Sequence, residues 1–301
     1  MELLLGALIL GLAYAPLGLG VFITMRVFNF PDITADGSLT FGAAITAALL
    51  IAGVNPWLAI AASVAGGFMA GSLTGVIHTR LRVNGLLSGI LVMTALYSVN
   101  LRTMGRSNVP LLATTTALTQ LERLPGALGM SQPDSALLPL LLFGTVALLL
   151  VWGLAWFFRT DFGLAMRATG DNETMITAQG VNTNAMKIVG IGLSNALIAL
   201  SGSLVAQYQG YADIGMGVGI VVFGLASVII GDTLAGIFGG GFNVWTRLIC
   251  VIAGTILFRV IVAAALSVGL APADLKIVTA GFVLAAILLP RTRGMLRTRA
   301  T

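Results

Sequence analysis

The sequence predicts an all-α fold, a polytopic transmembrane helix bundle of about nine helices, on three observations. Hydrophobic residues make up 57% of the 301 and charged residues only 9%, with a mean hydropathy of +1.01. A soluble domain carries about a quarter charged residues. The apolar residues fall in runs of roughly 20, the length of a helix that crosses a bilayer, and Pro, Gly, Asn and charged residues punctuate those runs. Lipid is therefore the main solvent. The length leaves no room for a sizeable soluble domain, so residues 1–301 read as a single transmembrane domain.

In chain order the expected helices are 2–25, 37–53, 56–79, 84–103, 136–158, 187–209, 214–232, 245–269 and 274–290. The first follows Met1-Glu2-Leu3, which lacks the positive n-region of a signal peptide, so it is expected to remain as a spanning helix. The third carries Gly67, Gly71 and Gly75, a small residue at every fourth position on one face. That spacing lets helix backbones approach closely in lipid; packing within the bundle is favoured over a dimerisation face. The fourth helix interrupts its apolar run with Ser88, Thr94, Tyr97, Ser98 and Asn100. Such residues either line a polar path or bond their own backbone and neighbouring helices. A polar stretch, 105–135, follows. In the eighth helix Arg259 falls near the middle, where a charge costs at least ~2.5 kcal/mol. Either it faces a partner or cavity, or that helix boundary is displaced.

Short cytoplasmic loops retain Lys and Arg. Placing Arg291, Arg293, Arg297 and Arg299 of the tail inside also puts Arg26, Arg80, Arg82, Arg159, Arg167, Lys187 and Arg247 inside. The N-terminus and 105–135 are then outside, the C-terminus is cytoplasmic, and the polar segment 159–187 is cytoplasmic.

Several chemistries are disfavoured. The net charge of +5 is scattered among apolar runs, which argues against nucleic-acid binding. Cys250 is the only cysteine and His78 the only histidine, so neither an internal disulfide nor a His-Glu-x-x-His metal site can form. His78 is expected at a membrane interface. Both lysines, Lys187 and Lys276, precede Ile, so no phosphate-binding loop ending in Lys-Ser or Lys-Thr exists and ATP hydrolysis, if used, belongs to another polypeptide. No cofactor is expected. Asp32, Asp36, Asp161, Asp171, Glu173 and Asp232 fall at expected helix ends or loops rather than in a chain across the bilayer. That disfavours a proton relay, although Asp36 and Asp232 beside glycines could belong to broken helices.

Within 159–187 the spacing predicts a short helix of about two turns. Asp171 or Asn172 can cap its start, Glu173 suits the positive end of its dipole, and Gly180 suits the left-handed residue that closes it. Met175, Ile176 and Ala178 would give it an apolar surface. That surface either docks in another protein's groove or lies against the membrane or the chain's own bundle.

The run Gly163 to Asn182, Lys187, and Ser194-Asn195-Ala196-Leu197-Ile198-Ala199-Leu200-Ser201-Gly202 resembles the cytoplasmic signature of branched-chain amino acid ABC permeases. Three further stretches resemble the narrower tryptophan/tyrosine transport system permeases: Phe30-Pro31-Asp32-Ile33-Thr34-Ala35-Asp36-Gly37-Ser38, the run Asn84 to Ser98, and Gly224 to Asp232. Where that family carries Glu after the last motif, this chain has Asp232, which keeps the charge. The resemblance implies the type II importer fold and a membrane-spanning permease of a binding-protein-dependent ABC importer. It would sit in the bacterial cytoplasmic (inner) membrane and carry a small solute, an amino acid or related compound, aromatic by the family's label.

By that resemblance Asp171, Asn172, Glu173, Met175, Ile176, Gln179 and Gly180 form the coupling helix that contacts the ATPase. The implied partners are that ATPase, an extracytoplasmic substrate-binding protein, membrane lipid, and a second permease copy, a homodimer before a heterodimer. Substrate contacts would come from Ser88, Thr94, Tyr97, Ser98 and Asn100. An ion-coupled secondary carrier or channel is the competing reading. A membrane-embedded enzyme is a third and shows no nucleophile and base set.

Overall fold

The computed structural model describes residues 2–127, 137–237 and 243–267, with Ile277, Ala280, Gly281 and Leu284 as isolated positions. The expected helix 274–290 and the basic tail lie outside the described residues, apart from those isolated positions. The chain opens with α1 (Glu2–Ala13) and α2 (Ala15–Phe22), continued by a π-helical turn, Ile23–Val27. Together they form one apolar span bent by 41°. Pro16, in the first turn of α2, has no N–H to give to the preceding turn and its ring crowds that turn's carbonyl, which accounts for the bend.

Then come α3 (Thr34–Ile51), α4 (Pro56–Arg80) and α5 (Gly85–Met104), followed by a short strand β1 (Asn108–Pro110) and α6 (Ala117–Ala127). The second half holds α7 (Leu137–Phe157), α8 (Asp161–Asp171), α9 (Glu173–Ala178), α10 (Thr183–Gln209), β2 (Tyr211–Asp213), α11 (Ile220–Ile237) and α12 (Val244–Ser267). The starts of α4 and α5 carry their own caps: the Asn55 and Asn84 side chains accept the N–H groups of Trp57 and Leu86. Among the described residues six helices are long and apolar enough to cross a membrane, or seven with the bent first pair counted as one span.

Helix α10 is the most enclosed of these spans, with 78% of its apolar window buried. Lipid tails are as apolar as Leu, so close backbone packing and hydrogen bonds must hold such a bundle together. Both are present. A Cβ on Gly71 would meet the Asn195 Cβ at 2.6 Å, and one on Gly75 would meet the Ile188 Cα at 2.8 Å. The glycine stripe of α4 is thus the seat of α10, as the internal-packing reading expects. Across the bundle Ser194 donates to the Gly20 carbonyl at 2.7 Å, and Ser201 to the Ala13 carbonyl at the α1–α2 bend at 2.9 Å. Thr46 donates to Ser203 at 2.6 Å.

The boundary that departs most from expectation is the start of α11. Helix α11 begins at Ile220, not 214, because 214–219 is taken up by turns that bring the backbone against α3. There the Asp36 carboxylate accepts the N–H groups of Gly219 and Val221, each at 2.9 Å. A side chain of one helix thus satisfies the orphan donors that open another.

The loops sort to two ends. At one, β1 and β2 pair antiparallel, with Val109 opposite Ala212. The other holds α8, α9, the π turn and the α4–α5 connection, where His78 Nδ1 meets the Val83 carbonyl at 2.8 Å and its ring lies on Phe30.

Candidate functional site: a capped helix docked on the end of the bundle

Thr160 accepts the N–H of Gly163 at 3.3 Å and donates to the Phe157 carbonyl at 2.6 Å, which fixes the corner between α7 and α8. At the far end of α8, Gly170 lies directly on the backbone of Val27 and Phe28 of the π turn; a Cβ there would overlap the Val27 carbonyl. Only glycine lets α8 sit that close to the first span. Asn172 then caps α9, its side chain accepting the Met175 N–H at 3.0 Å. Gly180 closes the turn at φ +85°, the left-handed conformation that glycine adopts without strain. The Glu173 carboxylate accepts from Lys187 Nζ of α10 at 2.7 Å, and that bond holds its carboxyl below the usual carboxylate range.

Asp171, Asn172, Glu173, Met175, Gln179 and Gly180 are all exposed. Ile176 is not: it is 7% exposed against 56% for Met175. The expected docking role of Ile176 is therefore corrected. On a helix, adjacent residues point about 100° apart, so Met175 can face outward while Ile176 faces the bundle. Ile176 turns inward and anchors the helix, and its carbonyl accepts the Val181 N–H. The outward apolar surface is Met175 and Ala178 on α9, with Phe162 and Leu164 exposed on α8. Phe162 and Leu164 lie about 200° apart around α8, so no single apolar stripe marks them in the sequence.

The five polar residues of α5 divide in the same way. Ser88 and Asn100 are buried, Ser88 donating to the Asn84 carbonyl and Asn100 to the Gly37 carbonyl of α3. Thr94, Tyr97 and Ser98 lie on the opposite, exposed face. The structure brings those three together and sets the other two apart.

The model of a transporter family, the branched-chain amino acid transport system permease component, matches residues 3–288. The chain belongs to this family. It is 38% identical over 272 residues to the tyrosine transport system permease protein of Clostridioides difficile, covering 89% of this chain and 85% of that one. It is 29% identical over 208 residues to the ribose import permease RbsC of Escherichia coli, covering 68% and 62%. A solved metal-chelate type ABC transporter in an inward-facing conformation shares the fold, with a TM-score of 0.50 and 17% identity over 96% of this chain and 85% of the other.

The chain is thus a multi-pass membrane permease, the transport component of an ABC transporter and not an enzyme, and it works with an ATPase and a substrate-binding protein. In the permease α12 is helical straight through Arg259, so no displaced boundary explains that charge. Its guanidinium lies 4.1 Å from the ring centre of Tyr14 and 5.3 Å from that of Phe223. Stacking on aromatic faces offsets part of the cost of burial. At the end bearing α8, Arg26 of the π turn forms an ion pair with Asp232 of α11, a link between distant segments that spacing alone does not reveal.

Proposed function

We propose that this permease imports tyrosine or a closely related aromatic amino acid across the bacterial cytoplasmic (inner) membrane, and that α8 and α9 are the surface on which the ATPase docks. The observation that carries the reading is the exposed Met175 on a helix capped at both ends and held to α10 by the Glu173–Lys187 bond. An apolar side chain more than half in water gains by burial in a partner's groove. The substrate class rests on the 38% identity to a tyrosine permease. The chain carries no nucleotide-binding site, since neither lysine stands in a phosphate-binding loop.

Sidedness follows the charge. Arg26, Arg167 and Arg247 surround one cavity at the end with α8, and Arg80, Arg82 and Lys187 surround another at the same end. Retention of positive charge makes that end cytoplasmic, with the N-terminus outside and the C-terminus inside. ATP-driven closure of the ATPases would move α8 and α9 and, through the contact of Gly170 with the π turn and the Glu173–Lys187 bond, the first span and α10, a rigid-body two-state change. Thr94, Tyr97 and Ser98 face outward from one chain and would line the path between two copies in a homodimer. Ser88 and Asn100 bond within the chain and support that helix instead.

Reconstitution with the cognate ATPase and binding protein, with uptake of labelled tyrosine into proteoliposomes, tests the reading. ATP-dependent, binding-protein-dependent tyrosine uptake is the expected result. Uptake driven by an ion gradient without ATP would overturn the mechanism, and absence of ATP-driven uptake for labelled tyrosine, tryptophan and phenylalanine alike would overturn the substrate class.

A further inference from the structure

Behind the coupling segment lies a cavity of about 130 Å³, lined by Phe22, Arg26, Val27, Phe158, Arg167, Asp171, Val244 and Arg247. At about 30 Å³ per water it has room for a group of several heavy atoms. Its three guanidiniums come from three separate segments, the π turn, α8 and α12. Two carboxylates stand with them, Asp171 in the wall and Asp232 paired with Arg26, so the five groups carry a net charge of +1.

The remaining wall is apolar, Phe22, Val27, Phe158 and Val244, all at or beside the ends of membrane-spanning helices. The geometry points to a binding site for the phosphate of an anionic phospholipid, with the headgroup among Arg26, Arg167 and Arg247 and the glycerol end against the apolar wall. Guanidinium forks match phosphate oxygens, and basic pockets between helices at the membrane surface hold anionic headgroups. A free phosphate shares the charged half of this chemistry but has no use for the apolar half.

The site reaches the coupling segment directly. Asp171 ends α8 and immediately precedes Asn172, the cap of α9, while Gly170 lies on Val27. A phosphate held there ties the first span, α8 and α12 into one unit at the root of α9. Asp171 opposes the phosphate, so its neutral amide should favour binding.

The test titrates phosphatidylglycerol into the delipidated full-length permease in detergent and follows bound lipid by native mass spectrometry and Tm. Phosphatidylcholine and inorganic phosphate are the parallel arms. Expected is saturable binding and a rise in Tm with phosphatidylglycerol only. Arg167→Gln should weaken it about tenfold, the order of one charge-assisted hydrogen bond, Arg167→Lys should recover part of it, and Asp171→Asn should tighten it. Since Asp171→Asn removes no guanidinium, it keeps the test open if Arg167→Gln fails to fold. The proposal is overturned if phosphatidylcholine does as well, if inorganic phosphate gives the same shift and competes with the lipid, or if binding is unchanged in both Arg167→Gln and Asp171→Asn.

Discussion

Changing Met175 and Ile176 one at a time separates docking from folding in α9, because the two neighbours differ so sharply in exposure, 56% against 7%. Full burial of a Met side chain is worth about 1.5–3 kcal/mol. With a little over half of Met175 still in water, ATPase docking can draw on roughly 1–1.5 kcal/mol from it, so Met175→Ala should weaken ATPase affinity about five- to tenfold. Met175→Asp adds the desolvation of an unpaired charge, several kcal/mol, and should abolish docking. Neither change should alter the Tm of the isolated permease.

Ile176→Ala acts on the other side of the helix. Truncating a buried Ile costs about 2–5 kcal/mol in a well-packed core, and a six-residue helix at the surface places this at the low end. The change should raise amide hydrogen exchange across 172–181 in the isolated permease, and weaken docking only as far as the helix frays. The assay is ATPase affinity in nanodiscs beside hydrogen exchange of each variant. Wild-type affinity for both Met175 variants would refute docking through this face. Lost affinity in Ile176→Ala with unchanged exchange protection would refute the inward placement of Ile176.

Gly71→Val puts a side chain where Asn195 and the Ile191 backbone already stand; overpacking of at least about 1–3 kcal/mol should lower the detergent Tm and the yield, read by fluorescence size exclusion. Glu173 has a lowered folded-state pKa, so the support its bond to Lys187 gives α9 is present above the unfolded carboxylate pKa of about 4.3 and is lost as pH falls through the lower folded value. Hydrogen exchange of 172–180 should therefore be indifferent to pH between neutrality and about 5 after correction for intrinsic rates, and Glu173→Gln should cost within about 1 kcal/mol at neutral pH, the scale of an exposed pair. Tyr97→Ala should leave abundance and Tm unchanged while raising the apparent KM for uptake, whereas Asn100→Leu, which removes the bond to Gly37, should lower Tm.

The features legible in the sequence are those whose cause lies within a few residues of their effect. The apolar runs of α3, α4, α5, α7, α10 and α12, the Asn172 cap, the left-handed Gly180 and the every-fourth-residue glycines of α4 all depend on local geometry, and each stands in the structure as the spacing predicts. Pro16 was equally visible, but a proline inside an apolar run can either end a helix or bend it, and which occurs depends on what takes up the disturbed backbone. Here Ser201 of α10 bonds the Ala13 carbonyl at the bend. The start of α11 is set by Asp36, far away in sequence, whose carboxylate supplies acceptors that the local chain lacks.

The same limit explains the site. Composition marks Met175 and Ile176 alike as apolar, and only the position of α9 against α8 and α10 decides which of them faces water. That position is itself set by contacts remote in sequence, Gly170 on Val27 and Glu173 on Lys187. A lipid-embedded protein sharpens the problem, because apolar residues cover its outside as well as its core, so hydrophobicity alone does not tell inside from outside. The better guide is the small and polar residue. Gly71, Ser194 and Ser201 all turn toward a neighbouring helix, since in hydrocarbon a small side chain gains most from close packing and a polar one must find a partner. On α5, Thr94 meets that criterion by bonding the Ile90 carbonyl of its own helix; the exposure of Tyr97 and Ser98 beside it is the departure, and the path proposed between two copies would give that departure its cause.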